Sequence, residues 1–96
     1  DMVVSLIQFI IHMPEATSLK EKRQTVQSLT RRMQNKYKVT AAEVDLQESI
    51  GYSQIGGALV SNSKKYGDQV MQKIIDFVED EVPGQVYDVS THTEFY

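Results

Sequence analysis

The chain has 96 residues, 41% hydrophobic and 24% charged, with a formal net charge of −3 and no cysteine. That length and balance suit one soluble domain over residues 1–96, too short for two. The missing cysteine excludes disulfides and thiolate metal centres and fits a reducing compartment.

Val3 to Ile11 is rich in β-branched and aromatic residues and reads as a strand. Ser5, Ile7, Phe9 and Ile11 share one face, and Val4, Leu6, Gln8 and Ile10 share the other. Both faces are mostly apolar, which predicts a central strand. The surrounding run "MVVSLIQFIIHM" is too short to span a bilayer and lacks the basic leader and cleavage site of a signal peptide, so no membrane partner is expected. Pro14 breaks the pattern. Ser18 and Glu21 then form a capping box that opens a helix. Leu19, Val26, Leu29, Met33 and Tyr37 make its apolar stripe, while Lys20, Arg31 and Lys38 fall opposite. Arg32 and Lys36 lie on one flank and Arg23 on the other. Lys22 projects beside the stripe; its stem is expected to pack while its ammonium reaches water.

Val39 to Leu46 predicts a second, half-exposed strand, with Thr40, Ala42, Val44 and Leu46 as its more apolar face and Glu43 and Asp45 turned the other way. "QESIGYS" connects it to a third strand, Gln54 to Asn62, where Gly56 and Gly57 admit a bulge or a close neighbour. Asn62 or Ser63 caps a second helix that runs to about Glu81. Its core stripe is Tyr66, Val70, Ile74 and Phe77, widened by Met71, Ile75 and Val78. "VPGQ" stops the helix, and Val86 to Phe95 forms a threonine-rich fourth strand.

The order β-α-β-β-α-β is that of a ferredoxin-like two-layer sandwich, an antiparallel sheet with both helices on one face. Right-handed crossovers put the first and third strands in the centre. The open face then carries Val4, Leu6 and Ile10, an apolar patch that a homodimer would cover. Such domains host many activities, so function must come from particular residues.

Several chemistries lack their residues. The third strand, "QIGGALVSN", has no ring on which RNA bases would stack. Paired cysteines for metal transfer are absent, and the loop "HMPEAT" has no arginine to hold a phosphate. His12 and His92 are the only histidines; with Asp88 or Glu94 they would make an acid–base or metal pair only if the fold brought them together. Glu43, Asp45 and Glu48 read as solubilising acids of an edge strand, with too few donors for a cation site. Tyr52 reads as a turn aromatic. No catalytic residue, metal or cofactor is expected.

Charge distribution gives the strongest functional lead. Seven of the ten Lys and Arg residues lie between Ser18 and Lys38, against one acid, Glu21. Tyr66 to Tyr96 carries Lys73 alone against Asp68, Asp76, Glu79, Asp80, Glu81, Asp88 and Glu94. A helix that is merely solvated usually alternates its charges. A nearly pure positive face with interleaved amides suits phosphate contact, through Lys20, Arg23, Arg31, Arg32, Lys36 and Lys38. Two readings stay open: a binding module that contacts RNA or a ribosomal component, or a homodimeric protein-interaction module using Val4, Leu6 and Ile10 with no nucleic-acid role.

"SLKEKR" at Ser18 to Arg23, "AAEVDLQ" at Ala41 to Gln47 and the "GGALVSN" strand together resemble the YlxP-like proteins, small bacterial proteins of unassigned function. The likeness covers almost the whole chain. It implies a ferredoxin-like fold and a cytoplasmic location, and it points to no catalytic activity. Members are often encoded beside translation-initiation and ribosome-maturation factors, which implies a role near RNA by association. The family pattern has His where this chain has Leu46 and an aromatic where it has Ile50. Lys20, Lys22 and Arg23 match its basic motif, and a salt bridge from Lys22 to Asp45 or Glu43 would give part of that motif a structural role.

Overall fold

Strict alternation along strand β1, Val3–His12, sets the two layers. Val3, Ser5, Ile7, Phe9 and Ile11 are buried, while Leu6 and Gln8 between them are exposed. The computed structural model describes residues 1–83 and 85–96. Helix α1 follows over Leu19–Tyr37, then strand β2 over Thr40–Asp45, strand β3 over Tyr52–Ser61, helix α2 over Lys64–Glu81 and strand β4 over Val86–Phe95. The strands form one sheet in the order β2-β3-β1-β4, and every neighbouring pair is antiparallel. The ferredoxin-like arrangement is therefore present, with β1 and β3 central.

The core lies between the sheet and the helices. Val26, Leu29 and Met33 of α1 and Val70, Met71, Ile74 and Val78 of α2 meet Ile7, Phe9, Ile11, Ile55 and Leu59. Each fully buried aliphatic or aromatic side chain stabilises by roughly 1.5–3 kcal/mol. A surface ion pair contributes about 0–1 kcal/mol, so packing rather than charge holds the helices down. Gly57 belongs to this fit: a Cβ there would lie 3.2 Å from Ile7 and 3.7 Å from the Met33 methyl. Of the two roles expected for the glycine pair, the close neighbour is the one observed. The β1–β3 register runs unbroken past Gly56 and Gly57.

Three expectations are corrected. On β2 the more apolar set faces outward: Thr40, Ala42 and Val44 are exposed, whereas Val39 is buried and Ala41 and Glu43 are half-buried. A register shift between Glu43 and Asp45 ends the strand, and Leu46 takes φ 63°. Tyr66 is 51% exposed, not core; Gly67 is the buried residue of that turn. Tyr52 opens β3 instead of sitting in the connection, and its ring stacks on His12 at 4.6 Å between centroids. Ser63 is the α2 cap, its hydroxyl accepting from the Tyr66 N–H. Of the "VPGQ" turn, Gly84 lies outside the described residues.

Gly67 brings α2 down onto β1. A Cβ there would overlap the Ser5 hydroxyl and stand 3.3 Å from the Ser5 Cβ, which the central strand holds in place. The Ser5 Oγ is itself buried without a hydrogen-bond partner. Gly67→Ala is expected to destabilise by about 1–3 kcal/mol through overpacking. Ser5→Ala, which removes the orphaned hydroxyl, is expected to be neutral or stabilising. Urea denaturation of both variants checks the pair of outcomes, and a neutral Gly67→Ala would contradict this packing.

Candidate nucleic-acid interface

Helix α1 starts where its polar cap is satisfied. The Ser18 Oγ accepts from the Glu21 N–H at 3.1 Å. The Glu21 carboxylate reaches back one residue further than a capping box requires, accepting from the Thr17 N–H at 3.0 Å and from the Thr17 hydroxyl. Those bonds hold the Glu21 carboxyl below the ordinary value of 4.5, the hydroxyl contributing most. At the other end Lys38 adopts φ 59°, and its N–H donates to the Gln34 carbonyl.

Lys22 fixes how the helix is rolled. Its side chain is fully buried and does not reach water. The ammonium donates to the carbonyls of Leu46 at 2.5 Å and Gln47 at 3.3 Å and pairs with the Glu43 carboxylate at 3.1 Å. Glu43 also accepts from the Ser53 hydroxyl at 2.6 Å. Of the two partners open to Lys22, Glu43 is the one used, and this corrects both the snorkelling expected of Lys22 and the solubilising role expected of Glu43. Asp45 accepts instead from the Leu46 N–H. Sequence pattern pointed to the ion pair but gave no signal for the two carbonyls.

With Lys22 inward, the opposite face looks out. Lys20 and Arg31, eleven residues apart, project along nearly the same line about 16 Å from each other, and Lys38 follows at the left-handed cap just past the helix end. Lys20, Arg23, Arg31 and Lys38 are exposed. Among the described residues none of these four has a carboxylate within salt-bridge distance. Arg32 and Lys36 lie on the flank toward α2. Arg32 pairs with Glu81 at 2.7 Å and stands 5.6 Å from the Phe77 ring centre; the Lys36 ammonium lies 5.1 Å from that ring and 5.6 Å from Tyr37. The six cations singled out by sequence thus divide into four that face outward without partners and two drawn toward α2.

The histidines do not meet. His92 sits opposite Leu6, and six residues of β1, roughly 20 Å, separate that position from His12. His12 Nδ1 lies 3.1 Å from the Gln85 side-chain oxygen, and His92 Nε2 lies 3.6 Å from Glu94. Asp88 takes φ 52° at the β4 irregularity. Among the described residues no three His, Asp or Glu side chains converge as a metal site. Among the described residues no helix is long and apolar enough to cross a membrane.

On the other side of the molecule the open sheet face carries Val4, Leu6 and Ile10 as expected, Leu6 being 40% exposed. Sequence reasoning missed the rest of this face. Val60, at 63%, and Val44, at 49%, are more exposed than Leu6. A trough of about 380 Å³ lies over Gly56 and Ala58, walled by Leu6 and Val44.

A ferredoxin-like α+β domain with an inward lysine clamp and an outward cationic helix is what these elements define. Residues 4–91 match a family described as a protein of unknown function, DUF503. Over 82 residues the chain is 32% identical to the uncharacterized protein YlxP of Bacillus subtilis, covering 85% of this chain and 87% of that protein. The chain belongs to this family, and the YlxP-like resemblance is borne out. Among solved structures it is similar to the de novo designed protein LFR1, which has a ferredoxin fold, with a TM-score of 0.53 at 11% identity, covering 98% of this chain and 86% of that one. It is also similar to SnoaB, a cofactor-independent oxygenase from Streptomyces nogalater, with a TM-score of 0.54 at 9% identity, covering 100% and 93%. At such identities the likeness concerns the fold alone.

Two outcomes test the local chemistry. Lys22→Met leaves Glu43 and two carbonyls without their cation and is expected to destabilise by about 3–5 kcal/mol in chemical denaturation. Glu21, lowered in the folded state, contributes stability that is complete above 4.5 and lost as pH falls through its folded value. An NMR titration of its carboxyl should show a midpoint below 4.5, and a midpoint at or above it would contradict the Thr17 bonds.

Proposed function

We propose that the protein is a non-enzymatic cytoplasmic binding module that holds RNA, alone or within a ribosomal component, along the outer face of α1. The observation that carries this reading is the row Lys20, Arg23, Arg31 and Lys38, outward and unpaired among the described residues while Arg32 is matched to Glu81. An acidic chain, with net charge −3, keeps these cations free although its second helix and last strand hold seven carboxylates. Gln24 and Gln27, exposed between the cations, are donors suited to phosphate and sugar oxygens. The row offers charge but no group that reads a base edge, so binding is tolerant of sequence and contacts the backbone.

Arg32 and Lys36, candidates on sequence grounds, have no part in this reading because α2 already engages them. The test is affinity for single-stranded RNA measured across a salt series. Each phosphate contact contributes a slope of about −0.7 in log K against log salt, so Lys20→Ala with Arg31→Ala should make the slope shallower by about 1.4. Arg32→Ala should leave the slope unchanged. Affinity with no salt dependence, or a double variant that binds as the parent does, would refute the proposal.

A further inference from the structure

We infer that the open face of the sheet is the contact between two copies of this chain, stacked sheet on sheet about a two-fold axis that runs along the strands between β1 and β3. The residues facing this way from β1, β2 and β3 are apolar or neutral polar, with the aromatic pair His12 and Tyr52 at one end and the irregular Asp45 as the carboxylate, and none of the four strands presents Lys or Arg there. On β4 this side carries the Glu94 carboxylate and the His92 ring. A face without a cation does not suit a polyanion or an acidic lipid surface. It does suit a second copy of itself, because no like-charge row faces its own image.

Size and shape favour the same occupant. Three strands of ten residues and one of six, about 4.8 Å apart, give a face of roughly 600 Å² in plan, before side-chain relief, near the ~800 Å² per partner of specific interfaces. Along β1 and β3 large residues sit beside small ones: Leu6 opposite Ala58 and Gln8 opposite Gly56. The proposed axis lays β1 of one copy over β3 of the other. Each Leu6 then descends onto the second copy's Ala58, into the trough that Val44 closes on its far side. Large against small is how facing layers interdigitate. The same axis lays β4 over β2, which has Thr40, Ala42 and Val44 outward, so the two Glu94 side chains stay apart. Both helices remain on the outside. If the RNA reading holds, the pair therefore presents two cationic rows on opposite faces.

Sedimentation velocity of the intact chain at tens of micromolar tests this directly. A species of about 22 kDa, twice the 10.9 kDa chain, is expected. Leu6→Asp with Val60→Asp should sediment as a monomer with an unchanged far-UV dichroism spectrum. Should that variant lose its spectrum, Val60→Asp alone carries the test, since Val60 is the most exposed apolar residue of the face, and it should weaken the dimer at least tenfold. A parent that remains monomeric would overturn the inference and leave the face to a chain of different sequence. A dimer indifferent to Val60→Asp would overturn it too, by placing the contact elsewhere. Neither outcome depends on whether RNA binds.

Discussion

A fully buried ammonium must be matched where it lies. Lys22 sits among the core residues of α1, and its positive charge is met by the Glu43 carboxylate and by the carbonyls of Leu46 and Gln47. Those acceptors come from the end of β2 and the loop beyond it. Formation of this ion pair therefore ties three things together: the roll of the helix, the inward direction of Glu43 and the conformation of the chain around Leu46, which holds a positive φ that a non-glycine residue adopts only at a cost. A buried pair of this kind is weak evidence for added stability, because desolvation offsets much of its attraction. Its consequence is geometric. Any rotation of α1 large enough to turn Lys20 and Arg31 inward would pull the Lys22 charge from these three acceptors.

From that constraint follow two surfaces of opposite character on the two sides of the sandwich. The helix side carries an outward row of cations, and the sheet side carries a largely apolar face on which the four strands present no Lys or Arg. Within the helix layer the division of charge is also physical. Arg32 and Lys36 face α2, where Arg32 pairs with Glu81 and Lys36 lies against the Phe77 ring, whereas Lys20, Arg23, Arg31 and Lys38 have neither kind of contact among the described residues. An exposed pair such as Arg32 with Glu81 contributes little to stability. It nonetheless removes a charge from the outward face, which is the property that matters for contact with a polyanion.

Element order, the central place of β1 and the limits of both helices were legible because each rests on short-range chemistry. Period-two and period-3.6 patterns, the Ser18 cap and the Pro14 break all act within a few residues. The errors share one cause. On β2 the alternation was clear, yet the side that counts as inside was decided by Lys22, twenty-one residues away in sequence. Tyr66 has the right spacing for a core residue, but Gly67 packs against Ser5, and that close approach shifts the buried line of α2 by one position. The unpaired cations were legible as residues. Which of them would be captured by α2 was not, since that depends on how the two helices meet.

A double-mutant cycle between Lys22→Met and Glu43→Gln, followed by chemical denaturation, probes the central constraint most directly. Residues in one buried ion-pair network couple by about 0.5–3 kcal/mol, so the double variant should be less destabilised than the sum of the two single variants by an amount in that range. Additivity within experimental error would mean that Lys22 and Glu43 do not depend on each other, and the fixed roll of the first helix, with everything built on it, would be contradicted.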